Sequence, residues 1–233
     1  ALLRPGVAAR RPPAGGAAAR APPWAASPLL LPPPAGWRQP APRFVDRARA
    51  LVVIATALPL AALGLEALHD GLGANPVERF TRETGEWTLY LLLATLAVTP
   101  LRRLTGMHWL LRLRRRLGLA AFAYGSLHFT TWLWLDQWFD LAAIVEDIVK
   151  RPYVTAGFAA FALMLPLAAT STDAMVRRLG AARWQRLHRL AWVSGALGVL
   201  HYLWLVKVDL RAPLACAGVL ALLLAARLLL PRR

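Results

Sequence analysis

Arg114, Arg115 and Arg116 are followed by residues 117–135, LGLAAFAYGSLHFTTWLWL, and then by Asp136. This stretch decides the fold class. Its 19 uncharged or neutral residues make a helix of roughly 28 Å at ~1.5 Å per residue, close to the ~30 Å of a bilayer's hydrocarbon core. Three arginines anchor one end, and Trp132 and Trp134 mark the other, as at a membrane interface. One residue stands out. His128 is an ionisable side chain well inside the span, where it is costly and marks a functional site by default.

Five further apolar runs share this plan, at residues 51–68, 87–101, 153–170, 190–206 and 212–230. The run at 87–101 is short and must borrow flanking residues. Proline at 59, 100 and 166 is tolerable, because neighbouring helices can re-satisfy the freed carbonyls. Hydrophobic residues make up 58% of the chain and charged ones 17%, which excludes an ordinary soluble enzyme. The expected fold is all-α, an integral membrane six-helix bundle over residues 46–233. Residues 1–45 hold 11 of the 18 prolines and no periodic apolar face. They read as a disordered Pro/Ala/Arg-rich tail without a signal peptide's apolar core.

The formal net charge of +16 comes from 28 Lys and Arg against 12 Asp and Glu. The basic residues fall mostly between apolar runs, which is a topology signal and not a nucleic-acid patch. Arg38, Arg43, Arg47 and Arg49 precede the first span. Arg102, Arg103, Arg112, Arg114, Arg115 and Arg116 follow the second, and Arg177, Arg178, Arg183, Arg186 and Arg189 follow the fourth. The loop after the third is acidic, with Asp136, Asp140, Glu146 and Asp147 against Lys150 and Arg151. The expectation is a multi-pass protein of the bacterial inner membrane with both termini cytoplasmic.

The chemistry narrows to histidines. Cys216 is the single cysteine, so neither a disulfide nor a cysteine-based zinc or iron–sulfur site can form within this chain. His69 and His108 sit in or beside loops and read as solvated. His128 lies twelve residues beyond Arg116, and His201 twelve beyond Arg189, both on outward-running helices. Both imidazoles therefore lie ~18 Å from the cytoplasmic boundary. Two imidazoles at one depth can ligate one haem iron, with Gly125, Ser126, Gly195 and Gly198 leaving room for the macrocycle. His188, thirteen residues before His201, stands ~20 Å away at the inner edge of the fifth span. The matching position of the third span is Arg115, so a second haem there competes with a flavin or a quinone. Arg114, Arg115 and Arg116 can pair with haem propionates or a flavin phosphate.

From about residue 50 to 230 the chain resembles the MsrQ (YedZ) family of haem-binding membrane subunits, within the ferric-reductase-like transmembrane class. The resemblance rests on Gly71-Leu72-Gly73-Ala74-Asn75-Pro76, Thr99-Pro100-Leu101, Arg114-Arg115-Arg116-Leu117-Gly118-Leu119, Leu127-His128 and Arg151-Pro152-Tyr153. It continues through Thr170-Ser171-Thr172, Arg183-Trp184-Gln185-Arg186-Leu187-His188 and His201-Tyr202-Leu203-Trp204. It implies haem b held by His128, His188 and His201, with these histidines as the metal ligands, and FMN. It also implies electrons drawn from the quinone pool or a cytosolic flavin reductase. Their acceptor is then a periplasmic molybdopterin methionine sulfoxide reductase that repairs oxidised proteins.

The chain has no GxGxxG unit and no acid cluster for substrate chemistry. It reads as an electron-transfer subunit without a catalytic centre of its own, the reductase active site lying on the partner. Two other readings compete. One is a small transporter using His128, His201 and Glu66 as an ion path. The other is a non-redox scaffold for a periplasmic enzyme.

Overall fold

The computed structural model describes residues 40–69 and 71–230, and every regular element among them is helical. In chain order these are α1 (Pro42–Leu68), α2 (Pro76–Thr105), α3 (Leu111–Thr131), α4 (Leu141–Lys150) and α5 (Pro152–Ala169). There follow α6 (Asp173–Leu179), α7 (Ala181–Leu187), α8 (Leu190–Leu205) and α9 (Arg211–Leu229). The six long ones, α1, α2, α3, α5, α8 and α9, match the six expected spans, of which the third runs four residues past the end of α3 and the last three one residue past their helices. The tail expected over residues 1–45 lies outside the described residues as far as Gln39. Its final residues belong to α1, which starts at Pro42, where a proline loses no helical hydrogen bond.

Local signals fix the ends of α2. Asn75 accepts the Glu78 N–H through its side chain at 3.2 Å, and Pro76 opens the first turn. Gly106, at φ +73°, closes the helix by donating its N–H to the Arg102 carbonyl at 2.8 Å. α2 is also the centre of the bundle. It packs most extensively on α3 and also meets α8, α9 and α1, while α5 packs on α8. Leu89, Leu92, Leu93 and Leu96 are buried along it.

Among the described residues, α1, α5 and α9 are long and apolar enough by length and composition to cross a membrane. α1 and α9 leave large apolar side chains uncovered, Leu58 at 60% and Leu222 at 71% exposure, as lipid-facing helices do. The other three are less uniform than the sequence pattern suggested. α2 and α3 carry charged turns, and α8, at 16 residues, rises only about 24 Å. A wide π turn, Trp132–Asp136, prolongs α3. Trp138 and Phe139 follow it at φ +49° and +58°, a region that bulky residues rarely occupy.

The helix ends sort into two groups. Phe44 of α1 packs edge-on against Trp109 at 5.3 Å, and Arg103 of α2 donates to the Leu230 carbonyl at 3.2 Å. The start of α1 and the ends of α2 and α9 therefore share the arginine-rich end. At the opposite, acidic end Glu66 of α1 pairs with Arg79 of α2 at 3.5 Å.

Pro59 interrupts the hydrogen-bond ladder of α1, and Tyr124 of α3 braces the helix beside it. Its hydroxyl donates to the Thr56 carbonyl at 2.7 Å and accepts the Leu60 N–H at 3.1 Å. Tyr124→Phe removes both bonds at an otherwise apolar contact. The expected loss is about 1–2 kcal/mol, seen as easier unfolding of purified protein in denaturing detergent. Unfolding indistinguishable from the parent chain would show that α1 does not depend on this hydroxyl.

Candidate cofactor site

α3 and α8 bring His128 and His201 opposite each other, with ring centroids 6.2 Å apart and planes nearly perpendicular at 74°. The equal depth read from the arginine anchors is thus a true juxtaposition. Each ring is tied at the same atom to the wall behind it. His128 Nδ1 lies 2.8 Å from the Thr81 carbonyl of α2, and His201 Nδ1 lies 2.7 Å from the Tyr153 carbonyl of α5. A carbonyl can only accept, so each Nδ1 carries the proton, and in the neutral ring Nε2 keeps a free lone pair. This is how proteins fix a histidine that binds a metal through its other nitrogen.

Two glycines make these bonds possible. Residue i+4 of a helix donates its N–H to the carbonyl of residue i and stands over it. For Thr81 that residue is Gly85, and for Tyr153 it is Gly157. A Cβ on Gly85 would come within 2.9 Å of the His128 ring, and one on Gly157 within 2.7 Å of His201 Nδ1. Only glycine leaves the carbonyl's second lone pair open to an imidazole.

Both rings line one cavity of about 1320 Å³ that runs from Met164 and Ser194 inside the bundle to Asn75 and Asp209 at its acidic end. Phe129 and Phe161, stacked at 4.9 Å, form part of its apolar wall. Gly125 and Gly198 line it, as the sequence suggested. Gly195 instead packs on Leu96, and Ser126 donates to the Phe122 carbonyl within its own helix. The Thr81 hydroxyl is buried with no hydrogen-bond partner among the described residues, on the same wall. At the mouth, burial and the neighbouring Asp147 push the Asp136 carboxyl up.

The donor set favours a metal that brings most of its own ligands. No group of three or more His, Cys, Asp or Glu converges among the described residues, so a bare tetrahedral ion lacks donors. Two bonds of about 2 Å, with about 1 Å more from each nitrogen to its ring centre, place centroids roughly 6 Å apart. The observed spacing fits that sum. The residues present therefore suit the iron of a planar macrocycle with two axial imidazoles.

His188 belongs to a different place. It caps α7 at the arginine-rich end, stacks on Trp184 at 3.9 Å and lines a separate cavity of about 230 Å³ with Arg114 and Arg115. Its Nε2 lies 3.1 Å from Thr170 Oγ1, which also donates to the Pro166 carbonyl at 2.6 Å. Burial, and then the Arg114 guanidinium, push its pKa down to about 4, so the ring is neutral at pH 7. Arg114 itself loses hydration and faces Arg227, a combination that favours an anion beside it. Arg115 reaches across to Asp173 at 3.0 Å.

Glu66 does not join the site, being paired with Arg79 and absent from the cavity lining. An ion path through His128, His201 and Glu66 has no support in this geometry. The sequence reading passed over Glu86, which lines the cavity and accepts from Tyr202 at 2.8 Å and Tyr90 at 3.3 Å. An acid at the edge of the short second run was the available signal. It also missed Gly85 and Gly157, each four residues beyond a carbonyl that nothing in the sequence marks.

The family described as ferric reductase like transmembrane component matches residues 84–199, which include Gly85, His128 and Gly157. A protein of Herminiimonas arsenicoxydans is 53% identical over 190 residues, covering 81% of this chain and 87% of its own length. One from Ralstonia nicotianae is 55% identical over 188 residues, covering 80% and 87%, and one from Rhodospirillum rubrum is 54% identical over 180, covering 77% and 86%. All three carry the name protein-methionine-sulfoxide reductase heme-binding subunit MsrQ.

Gly85→Ala and Gly157→Ala each force an imidazole off its carbonyl. Overpacking of this kind costs about 1–3 kcal/mol, against a helix-propensity gain of about 1 kcal/mol for alanine. Both variants are expected to unfold more readily in detergent and to lose the downfield Nδ1–H proton resonance of the affected ring. An alanine at either position that stabilises the protein and preserves that resonance would refute the close approach.

Proposed function

Because this chain belongs to the MsrQ family, within the ferric-reductase-like transmembrane class, we propose that it is a haem-binding electron-transfer subunit. It carries a b-type haem between His128 and His201 and serves a methionine sulfoxide reductase. The observation that carries this reading is the opposed pair itself. Two imidazoles, each locked through Nδ1 to a helix carbonyl, offer free Nε2 atoms to one cavity. When bound, the haem iron accepts and releases one electron at a time.

The chain's residues do the rest. The Thr81 and Tyr153 carbonyls hold the axial rings against rotation, so neither ligand has to reorganise when the charge at the site changes. Phe129 and Phe161 keep water from the buried face. The cavity opens at the acidic end, where the arginine count puts the periplasm. Electrons reach the site from the arginine-rich, cytoplasmic side, drawn from the quinone pool or a cytosolic flavin reductase. They leave to a periplasmic molybdopterin subunit in which the methionine sulfoxide chemistry takes place. The His188 cavity, at 230 Å³, is smaller than the ~300 Å³ at which ligand pockets begin. It takes FMN or a second haem only with Trp184 displaced from His188, and Arg114 then meets the phosphate or propionate.

Two measurements test the reading. His128→Ala and His201→Ala should each abolish the six-coordinate, low-spin haem signal of purified protein while the chain still inserts. A low-spin spectrum unchanged in both variants would remove these residues as the axial pair. Reporter fusions test the orientation. A periplasmic phosphatase joined after Arg115 is expected to be inactive and one joined after Asp140 active, and the reverse pattern would invert the topology.

A further inference from the structure

Glu86 stands on the wall of the histidine cavity with no role in holding either ring. It follows Gly85, where an added Cβ would meet the His128 ring at 2.9 Å, and its carboxylate accepts the hydroxyl of Tyr202, the residue after His201, at 2.8 Å. Tyr90, one turn along α2, donates to its other oxygen at 3.3 Å. Glu86 thus stands beside both axial ligands without contacting either imidazole. An acid at this depth is expensive unless its oxygens are satisfied, and here two phenols satisfy them.

The identity of those partners matters. The nearby acids are clamped by cations, Glu83 by Arg79 at 3.3 Å and Glu78 by Arg82 at 2.7 Å. No ion pair of this kind joins Glu86 to a cation among the described residues. A carboxylate bonded to an arginine keeps its charge whatever happens nearby. One held by neutral hydroxyls can bind a proton and keep both contacts, because a phenol donates or accepts.

We propose that Glu86 is the redox-linked proton site of the cavity, an inference that rests on the haem reading above. When one electron converts ferric to ferrous iron, the site gains one negative charge. One proton from water at the acidic mouth adds to the Glu86 carboxylate and restores the balance. When the electron leaves, that proton returns to the same water. The low-dielectric wall makes each charge strongly felt by the other. The groups facing Glu86 are Tyr90 from α2, Tyr202 from α8 and Cys216 from α9, with Glu83 three residues back along α2. α3 and α5 contribute His128 and Tyr153 to the same cavity, and α1 brings Glu66, already held by Arg79. The cavity also carries Glu78, held by Arg82, Asp147, held by Arg151, and Asp136 and Asp209 toward its mouth; Glu86 is the one held by two phenols.

Potentiometric titration of the purified haem-loaded protein in detergent, repeated across the neutral pH range, tests the proposal. The parent midpoint is expected to fall as pH rises, by up to ~59 mV per pH unit, the tenfold equivalent for a one-electron couple. Glu86→Gln should flatten that slope while the low-spin spectrum persists. The reduced-minus-oxidised infrared spectrum of the parent should gain a protonated-carboxyl band that the variant lacks. If Glu86→Gln fails to assemble, Tyr202→Phe and Tyr90→Phe keep the carboxylate. Each removes one of the two hydroxyls that hold it, so each should displace the sloping range, Tyr202→Phe further. A parent midpoint independent of pH, an unchanged slope in Glu86→Gln, or an unmoved range in both phenylalanine variants would overturn the proposal. A parent chain that binds no haem at all would instead overturn the functional reading on which it rests.

Discussion

The structure depends on one arrangement, an imidazole N–H bonded to a helix carbonyl that is already serving its own helix. A carbonyl oxygen has two lone pairs, so the second bond is chemically free, but the side chain four residues on normally covers it. Removing that side chain costs about 1 kcal/mol in helix propensity, whereas a buried N–H without a partner costs about 1–3 kcal/mol. Glycine at 85 and 157 is therefore the cheaper solution twice over. The arrangement also dictates topology. His128 on α3 needs α2 behind it, and His201 on α8 needs α5, and these are the two most extensive helix pairings in the bundle. Each pair is a helix bearing an imidazole with a helix bearing a carbonyl and a glycine. The cavity lies where the two pairs face each other.

The remaining helices answer to lipid rather than to the site. α1 and α9 are long, apolar and broadly exposed; α1 touches the centre mainly through α3, and α9 through α2 and α8. In lipid there is no hydrophobic gain from pressing Leu against Leu, so attachment relies on close packing and specific polar bonds. Tyr124 supplies one such bond to α1, and Ser194 of α8 supplies another by donating to the Ala160 carbonyl of α5 at 2.9 Å. The cavity is lined mainly by α2, α3, α5 and α8, and its polar side chains find their partners there.

Much of this could be read from the sequence, for stated reasons. Span number follows from hydropathy, because no backbone group can go unsatisfied in hydrocarbon. The depth of His128 and His201 followed from counting residues after Arg116 and Arg189, because a helix rises uniformly. What counting cannot give is the direction in which a side chain points around its helix. That is why Thr81, Gly85, Tyr153 and Gly157 were invisible, although they determine which nitrogen is free. Glu66 was considered and Glu86 passed over for the same reason. Both are acids near span ends, yet one turns toward Arg79 and the other toward two tyrosines. The loops held a different surprise. α4 forms in the acidic loop because Asp140 caps it through the N–H groups of Ala142 and Ala143, a local signal obscured by reading the segment only for charge.

The two histidine sites are unlike in a way that bears on the direction of electron flow. His128 and His201 leave Nε2 open to a cavity of about 1320 Å³, whereas His188 commits Nε2 to Thr170 and stacks on Trp184 beside a space of about 230 Å³. One end is preorganised for a large rigid group and the other is closed around its own side chains. A permanent cofactor favours the first, because a preformed site loses little entropy on binding. A partner that arrives, exchanges electrons and departs favours the second, where Arg114 offers positive charge with no anion yet paired to it by any described bond. Both cavities share Leu92 and Met164 in their walls, so buried side chains of α2 and α5 lie between them. On the proposed electron-transfer reading, an electron handed over at the arginine-rich end would meet the His128–His201 cavity next, inside the bundle, before the acidic mouth.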